Sequence, residues 1–114
     1  MTWLLAALGL CAILLGVHLE ALMHYWYWVY PNFDIPMHIL GGAALGAFLT
    51  ALGVRRWQLY FGIMVAIVVG WEVFEYVFGI STHQPHYWRD TTDDMFNGLV
   101  GSAIIFAIRK YLWR

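Results

Sequence analysis

Long apolar stretches alternate with short polar segments along the whole chain. They predict four helices, over about residues 2–24, 36–53, 57–80 and 93–112. Each is close to the roughly 20 residues with which an α-helix crosses about 30 Å of hydrocarbon. The connections are short and no internal repeat is present, which favours an up-and-down topology. The pattern therefore predicts an all-α fold, a polytopic membrane protein in which residues 1–114 form one compact bundle of four transmembrane helices.

The composition is typical of a membrane protein. Hydrophobic residues make up 62% of the chain and charged residues 11%, less than half the roughly 25% charged share of a soluble domain. The net charge is -1, and no basic stripe is interleaved with stacking aromatic residues, so we expect no nucleic-acid partner. The only cysteine, Cys11, lies in an apolar run, which excludes an intramolecular disulfide.

The basic residues predict the orientation in the membrane. In a chain with four spans, the two termini and the loop between helices two and three lie on one side. That side holds Arg55, Arg56, Arg109, Lys110 and Arg114, and the other side holds Arg89. Because Lys and Arg are enriched in cytoplasmic loops, both termini are predicted to be cytoplasmic. We expect a multi-pass protein of a bacterial-type inner membrane.

The acidic residues have the opposite distribution. All seven lie at or near the extracytoplasmic ends of the predicted helices: Glu20, Asp34, Glu72, Glu75, Asp90, Asp93 and Asp94. Counted from the cytoplasmic ends, Glu20 and Glu75 lie about 27 Å along their helices and Glu72 about 22 Å. Polar groups from four segments thus reach one depth, which predicts a shared acidic site open to the extracytoplasmic side.

Glu72 and Glu75 lie within a predicted helix, where helix capping cannot explain them. At i, i+3 they share one face, with Cβ atoms about 5–6 Å apart. A charged group deep in a membrane helix costs at least about 2.5–3.5 kcal/mol on insertion scales. Two close carboxyl groups must therefore share a proton, pair with Arg or His, or bind a cation. We predict a functional role, with either residue as a general base; an acid that snorkels to the interface is the alternative, more so for Glu75.

Asp34 and His38 are one helical turn apart in FDIPMHILGG. Asp34 fits the N-cap of helix two, since aspartate favours that position. His38 has no such role, and it is interpreted either as a satisfied core residue or as a ligand. With Glu72 and Asp94, these residues are the predicted metal ligands.

Asp90 and Asp94 are also one turn apart, and Asn97 follows. Thr92 or Asp93 is predicted to cap helix four, and capping needs only one acid. Arg89 is expected to neutralise another. We predict that Asp90, Asn97 and Arg89 bind a ligand.

Small residues predict which helices lie close together. They are Gly42 and Gly46 on helix two and Gly98, Gly101 and Ser102 on helix four. Such residues allow close backbone approach, which would place His38 beside Asp94 and Asn97. The Gly-x-x-x-Gly spacing is equally typical of a homodimer face. Glu20 and His24 are interpreted as an i, i+4 pair, and the aromatic run 25–33 as an interfacial belt.

A resemblance to a known group is carried by three segments, FDIPMHILGG, WEVFEYVFG and RDTTDDMFNGLVG. They resemble small bacterial integral membrane proteins of the VanZ-like and YjdF-like group. The matching positions are Asp34, His38, Glu72, Glu75, Asp90, Asp94 and Gly101. Glu75 stands where VanZ-like members often have glutamine, so the YjdF-like branch is the closer one. The resemblance implies that these residues form one site, but it assigns no reaction.

Three functions are consistent with this residue set. Carboxylates with one histidine suit Mg²⁺, Ca²⁺, Mn²⁺ or Zn²⁺, and a metal or an acid–base pair could act on a lipid or cell-envelope headgroup. The second is a binding module without catalysis, whose acidic pocket holds a cation or an amine-bearing ligand. The third is structural: the polar network fixes helix packing or docks a partner. Membrane lipid is the expected environment. The sequence leaves open whether the chain also forms a homo-oligomer or binds a partner membrane protein.

Overall fold

The computed structural model describes residues 2–80, 82–83 and 85–112. Its helices are α1 (Thr2–Met23), α2 (Trp26–Val29), α3 (Asp34–Ala51), α4 (Trp57–Val77) and α5 (Tyr87–Ala107), and a π-helical turn, Ile108–Leu112, continues α5. Four of these segments are long and apolar enough to cross a membrane, and the described residues form no strand. The predicted fold class is confirmed. Arg114, used in the orientation prediction, lies outside the described residues.

Helices α3 and α5 form the centre of the bundle, α1 packs mainly on α3, and α4 packs mainly on α5. One apolar cluster joins Ala7, Ala47 and Ile105 from α1, α3 and α5. A second cluster holds Tyr60 and Met64 of α4 against Leu49 of α3. Because α3 contacts helices on several sides, it is the most buried of the four long helices.

Glycine residues allow the close approach of α3 and α5. A Cβ atom on Gly42 would collide with the backbone carbonyl of Gly98, and one on Gly101 would collide with the carbonyl of Ile39. Any side chain at these positions would force the two backbones apart. The predicted contact between small residues is therefore confirmed, and in this chain it serves packing within the bundle.

Two predicted helix starts were wrong, and both errors concern capping. Helix α5 begins at Tyr87, six residues before the predicted start, after His86 in the left-handed conformation (φ 64°). Helix α3 begins at Asp34, after Phe33. Neither N-cap residue makes a side-chain capping hydrogen bond. Asp93 and Thr92 therefore lie inside α5, and Asp34 lies in the first turn of α3, so none of the three is an N-cap residue.

The aromatic segment between α1 and α3 contains the short helix α2, which the sequence pattern did not predict. Tyr25 precedes it in the left-handed conformation (φ 57°). Trp26 and Tyr27 pack edge-on against Phe33, whereas Trp28 is exposed. The segment thus folds back on itself beside the start of α3.

Arg109 organises the opposite end of the bundle. Its guanidinium group donates hydrogen bonds to the carbonyl oxygens of Val54 (2.6 Å) and Arg55 (3.0 Å) in the loop between α3 and α4. It also lies 4.7 Å from the centre of the Phe106 ring. The loop is thereby attached to the end of α5.

Candidate functional site

The close contact of α3 and α5 places His38 beside Asp94. The His38 Nε2 atom lies 3.3 Å from Asp94 Oδ1, and the side chains are 29% and 19% exposed. Asp94 lies seven residues after the first residue of α5, about 10 Å along the helix. The predicted proximity of these two residues is confirmed. It arises because the glycine contacts bring the two backbones together one to two turns further along.

Helix α4 adds the most buried acid. Glu72 is 8% exposed, and its Oε2 atom is buried with no hydrogen-bond partner among the described residues. Its carboxyl group interacts electrostatically with Glu75, Asp94 and His38. A buried acceptor without a donor is expensive, and more so when it carries charge. Glu72 is therefore a carboxyl group with an unfilled hydrogen-bonding position.

A cavity of about 150 Å³ lies where α3 and α5 begin and α4 ends; we call it the interhelical cavity. It is lined by Asp34, His38, Glu75, Tyr87, Asp90, Thr91 and Asp94. Three helices contribute, with Asp34 and His38 from α3 and Glu75 from α4. Five of the predicted site residues thus lie around one space, and Glu72, one turn before Glu75 on α4, is not among the described lining residues.

The electrostatic balance of the interhelical cavity is strongly negative. Its described lining residues include four carboxyl groups and one imidazole, but no lysine or arginine. Like charges that lie close together raise the free energy of the ionised state. Simultaneous ionisation of all four lining carboxyl groups is therefore unfavourable.

Arg89 and Asn97 are not brought to the cavity wall. Arg89 is exposed, and over the described ranges it forms no ion pair, so the expected neutralisation of a neighbouring acid is not seen. Asn97 is partly buried, but Gly98, not Asn97, occupies the contact with α3. A ligand-binding role for either residue stays a prediction.

Tyr87 and Thr91 line the cavity but were not predicted as site residues. With α5 beginning at Tyr87, residues 87, 91 and 94 follow each other at helical spacing, so they share one face. The sequence predicts this shared face only if the helix is taken to include the polar segment YWRDTTDD.

The clustering of acidic side chains does not by itself form a metal site. Within residues 2–80, 82–83 and 85–112, no group of three or more His, Cys, Asp or Glu side chains has an arrangement that could hold a metal ion. The set Asp34, His38, Glu72 and Asp94 shares one region of the bundle, and its role as metal ligands stays a prediction.

Other polar residues near this end form their own pairs. Glu20 Oε2 lies 3.3 Å from His24 Nε2 on the exposed surface of α1, which confirms the predicted pair and leaves Glu20 outside the cavity wall. His18 Nδ1 and the Tyr27 hydroxyl are 2.7 Å apart. Burial raises the pKa of Tyr27, and the nearby carboxylate of Asp34 raises it further.

Fold and site together define an all-α membrane protein with a polar cluster at one end of its bundle. No protein-family model, curated protein or solved structure in the comparisons matches this chain. The resemblance to the VanZ-like and YjdF-like group stays a prediction.

Proposed function

We propose that this protein binds a cationic ligand in the interhelical cavity. The observation that carries the proposal is the lining of the cavity, where four carboxyl groups and one imidazole from three helices meet without a lysine or arginine among the described lining residues. Charged groups within membrane helices usually have a partner. A bound cation would supply the missing positive charge, and the carboxyl groups that line the cavity would be its ligands or hydrogen-bond acceptors.

Two kinds of ligand are consistent with the lining groups. Carboxylate oxygens and one imidazole suit Mg²⁺, Ca²⁺, Mn²⁺ or Zn²⁺. A positively charged lipid or cell-envelope headgroup would use the same carboxylates as hydrogen-bond acceptors. The proposed orientation supports access for a headgroup: the cavity opens away from the end that carries Arg55, Arg56 and Arg109, which we place in the cytoplasm. The proposed setting is a bacterial inner membrane.

Catalysis is an extension of this proposal. Glu72 or Glu75 would act as the general base, with a buried carboxyl group taking a proton from water or a ligand hydroxyl. A bound metal ion would polarise a phosphoryl or carbonyl oxygen. Glu75 lines the cavity, so it is the one that a ligand would reach directly.

A structural function is the second candidate, and the His38–Asp94 contact favours it. That contact joins the two central helices at 3.3 Å. Polar pairs between membrane helices stabilise packing by about 0.6 kcal/mol on average. In this case the cavity residues would fix the helix arrangement or dock a partner membrane protein, and no ligand would be required.

Equilibrium binding separates the two candidates. The purified chain in an uncharged detergent is titrated with Ca²⁺, Mn²⁺, Mg²⁺, Zn²⁺ and ethylammonium. We expect one cation per chain, with affinity at least about tenfold lower in Glu75→Gln, because Glu75 lines the cavity and one charge-assisted contact is lost. The matched control is Asp93→Asn, which removes the same charge from an exposed neighbour of Asp94 and should bind like the wild type.

Two results would count against cation binding. If no cation binds to the folded wild type, and Glu75→Gln changes stability alone, the result favours the structural function. If Asp93→Asn weakens binding as much as Glu75→Gln does, the effect is one of net charge and not of the cavity.

A further inference from the structure

We infer that the end of the bundle opposite the interhelical cavity binds an anionic phospholipid, with the lipid phosphate held in a groove at the start of α4. This groove has a volume of about 470 Å³ and is lined by Arg56, Gln58 and Leu59; we call it the arginine groove. The inference goes beyond the proposed function, because it concerns a separate part of the molecule and does not depend on cation binding.

The charge at this end of the bundle is positive and has no counterpart within the chain. Four basic residues lie in the loop between α3 and α4 or at the end of α5: Arg55, Arg56, Arg109 and Lys110. All seven acidic residues lie toward the other end. Glu72, the first acid along α4, is about 22 Å from the start of that helix, more than twice the Debye length of about 8 Å at physiological ionic strength. The counter-charge therefore comes from the surroundings of the protein.

The side chains of Arg55 and Arg56 are available to a ligand. Both residues are exposed, and neither side chain forms an ion pair or a hydrogen bond within the described part of the chain. Arg109 differs, since it donates to loop carbonyl groups, and Lys110 lies 5.1 Å from the centre of the Tyr111 ring. A guanidinium group presents a planar set of donors that can bind two phosphate oxygens at once.

The backbone that carries these two arginines is held in place. Arg109 donates hydrogen bonds to the carbonyl oxygens of Val54 and Arg55, and the Val54 amide donates to the Leu49 carbonyl oxygen at 3.1 Å. A loop that must be ordered on binding reduces affinity through lost conformational entropy, whereas a loop that is already ordered does not. The arginine groove is therefore formed before a ligand arrives.

The arginine groove lies at the depth of the lipid phosphates. Helix α4 has 21 residues and is about 31 Å long, which is close to the roughly 30 Å of hydrocarbon in a bilayer. Arg56 directly precedes this helix, so it lies at the boundary between hydrocarbon and headgroups. Trp57 is 60% exposed, and tryptophan is enriched at that boundary. The phosphate of a neighbouring phospholipid is thus level with Arg56.

The apolar part of the groove favours a lipid over a soluble anion. Leu59 lies about one helical turn from Arg56 on the hydrocarbon side, is 53% exposed and lines the same groove. An acyl chain attached to the bound phosphate would cover this side chain, whereas a soluble anion would leave it uncovered. The first amide groups of α4, which no side chain caps, are additional donors for the phosphate oxygens.

The test compares dioleoyl phosphatidylglycerol with dioleoyl phosphatidylcholine, which have the same acyl chains but differ in net charge. The full-length protein, freed of lipid in an uncharged detergent, is titrated with each lipid, and native mass spectrometry measures the bound fraction. We expect the wild type to bind phosphatidylglycerol at least about fivefold more tightly, the effect of one arginine near an anionic lipid surface. Arg56→Gln should lose this preference. Arg89→Gln removes the same charge from an exposed position at the other end and should keep it.

Two further measurements use the wild type alone, so they do not depend on how a variant folds. The preference for phosphatidylglycerol should decrease as ammonium acetate is raised from about 50 to about 500 mM, because salt screens exposed charges. Soluble glycerol phosphate at the same concentration as the lipid should not displace it, since it has no acyl chain to cover Leu59.

Several results would overturn the inference. Equal binding of both lipids to the wild type would do so, and it would favour an acidic protein as the partner of these arginines. An unchanged preference in Arg56→Gln, or an equal loss in Arg89→Gln, would show that the arginine groove does not hold the lipid. Displacement by glycerol phosphate would assign the groove to a soluble anion. None of these results affects the cation binding proposed for the interhelical cavity.

Discussion

His38 Nε2 on α3 and Asp94 Oδ1 on α5 lie 3.3 Å apart in a partly buried setting, with side chains 29% and 19% exposed. This contact connects the two central helices and forms part of the cavity wall. Its counterpart at the surface, Glu20 and His24, has the same separation of 3.3 Å but side chains that are 54% and 60% exposed. The two pairs differ mainly in burial, which makes them a natural comparison.

A double-mutant cycle should therefore give different coupling energies for the two pairs. For His38→Gln and Asp94→Asn we expect about 0.5–2 kcal/mol, because contacting polar groups between membrane helices couple in this range. For Glu20→Gln and His24→Gln we expect less than about 0.5 kcal/mol, because solvent screens exposed i, i+4 pairs. The measurement is the free energy of unfolding in detergent micelles. Equal coupling in both pairs would contradict the role given to burial.

Gly101→Ala should destabilise the bundle, because the added methyl group would collide with the carbonyl of Ile39 on α3. Overpacking of this kind costs about 1–3 kcal/mol, and more when the obstacle is backbone. Gly62→Ala is the matched control, since a Cβ atom there meets nothing within 4 Å. Thermal unfolding monitored by circular dichroism would show the difference. A loss of stability in Gly62→Ala alone would refute the packing described for α3 and α5.

Tyr60→Phe tests a buried hydrogen bond between α4 and α5. The Tyr60 hydroxyl donates to the Ser102 carbonyl oxygen at 2.8 Å, and Tyr60 is fully buried. Removing the hydroxyl should reduce the free energy of unfolding by about 0.5–2 kcal/mol, the range for hydrogen bonds between membrane helices. Tyr76→Phe, at an exposed position of the same helix, should change it little. A similar loss in both variants would mean that the hydrogen bond contributes nothing specific.

Arg109→Gln should weaken the end of the bundle opposite the cavity. The substitution removes the hydrogen bonds to the Val54 and Arg55 carbonyl oxygens and the contact with the Phe106 ring. Hydrogen bonds from charged groups contribute about 1.5–3 kcal/mol, so we expect a loss of about that size. Lys110→Gln removes the same charge from an exposed neighbour and is the control. Hydrogen exchange of the Leu52–Arg56 amides would show whether the loss is local to this loop.

The orientation can be tested with a reporter fused to the C-terminus. We expect a cytoplasmic reporter to be active, because Arg55, Arg56 and Arg109 lie on the side of the termini. Activity of a reporter that requires the opposite compartment would reverse the orientation and place the cavity opening in the cytoplasm.

The positions of the long helices could be predicted because hydrophobicity over about 20 residues is a strong signal. Helix α1 ends at Met23, one residue before the predicted end, and α4 begins at the predicted Trp57. The start of α5 could not be predicted in this way. The segment from Tyr87 to Asp93 is too polar to give a hydrophobic signal. Its acidic residues are also typical of the N-cap position, which favours a later start. The helix instead starts after His86, which has a left-handed conformation.

Depth along the helices was enough to predict that five polar residues gather in one region, since all lie near the same helix ends: Asp34, His38, Glu75, Asp90 and Asp94. Depth could not predict which residues face the cavity, because the rotation of a helix about its axis depends on packing. Gly98 takes the contact with α3, and Asn97 is not among the described lining residues of the cavity. Arg89 was assigned to the site by its charge, but it lies on an exposed face.

Helix α1 supplies no side chain to the cavity wall, and only 6% of its membrane-length window is buried. The three remaining long helices supply all the described lining residues, whereas α1 turns most of its surface away from the rest of the bundle. Its buried positions are Ala7 and Ala21, where a larger side chain would meet neighbouring helices. Substitutions or fusions on the outer face of α1 should therefore leave the composition of the cavity wall unchanged.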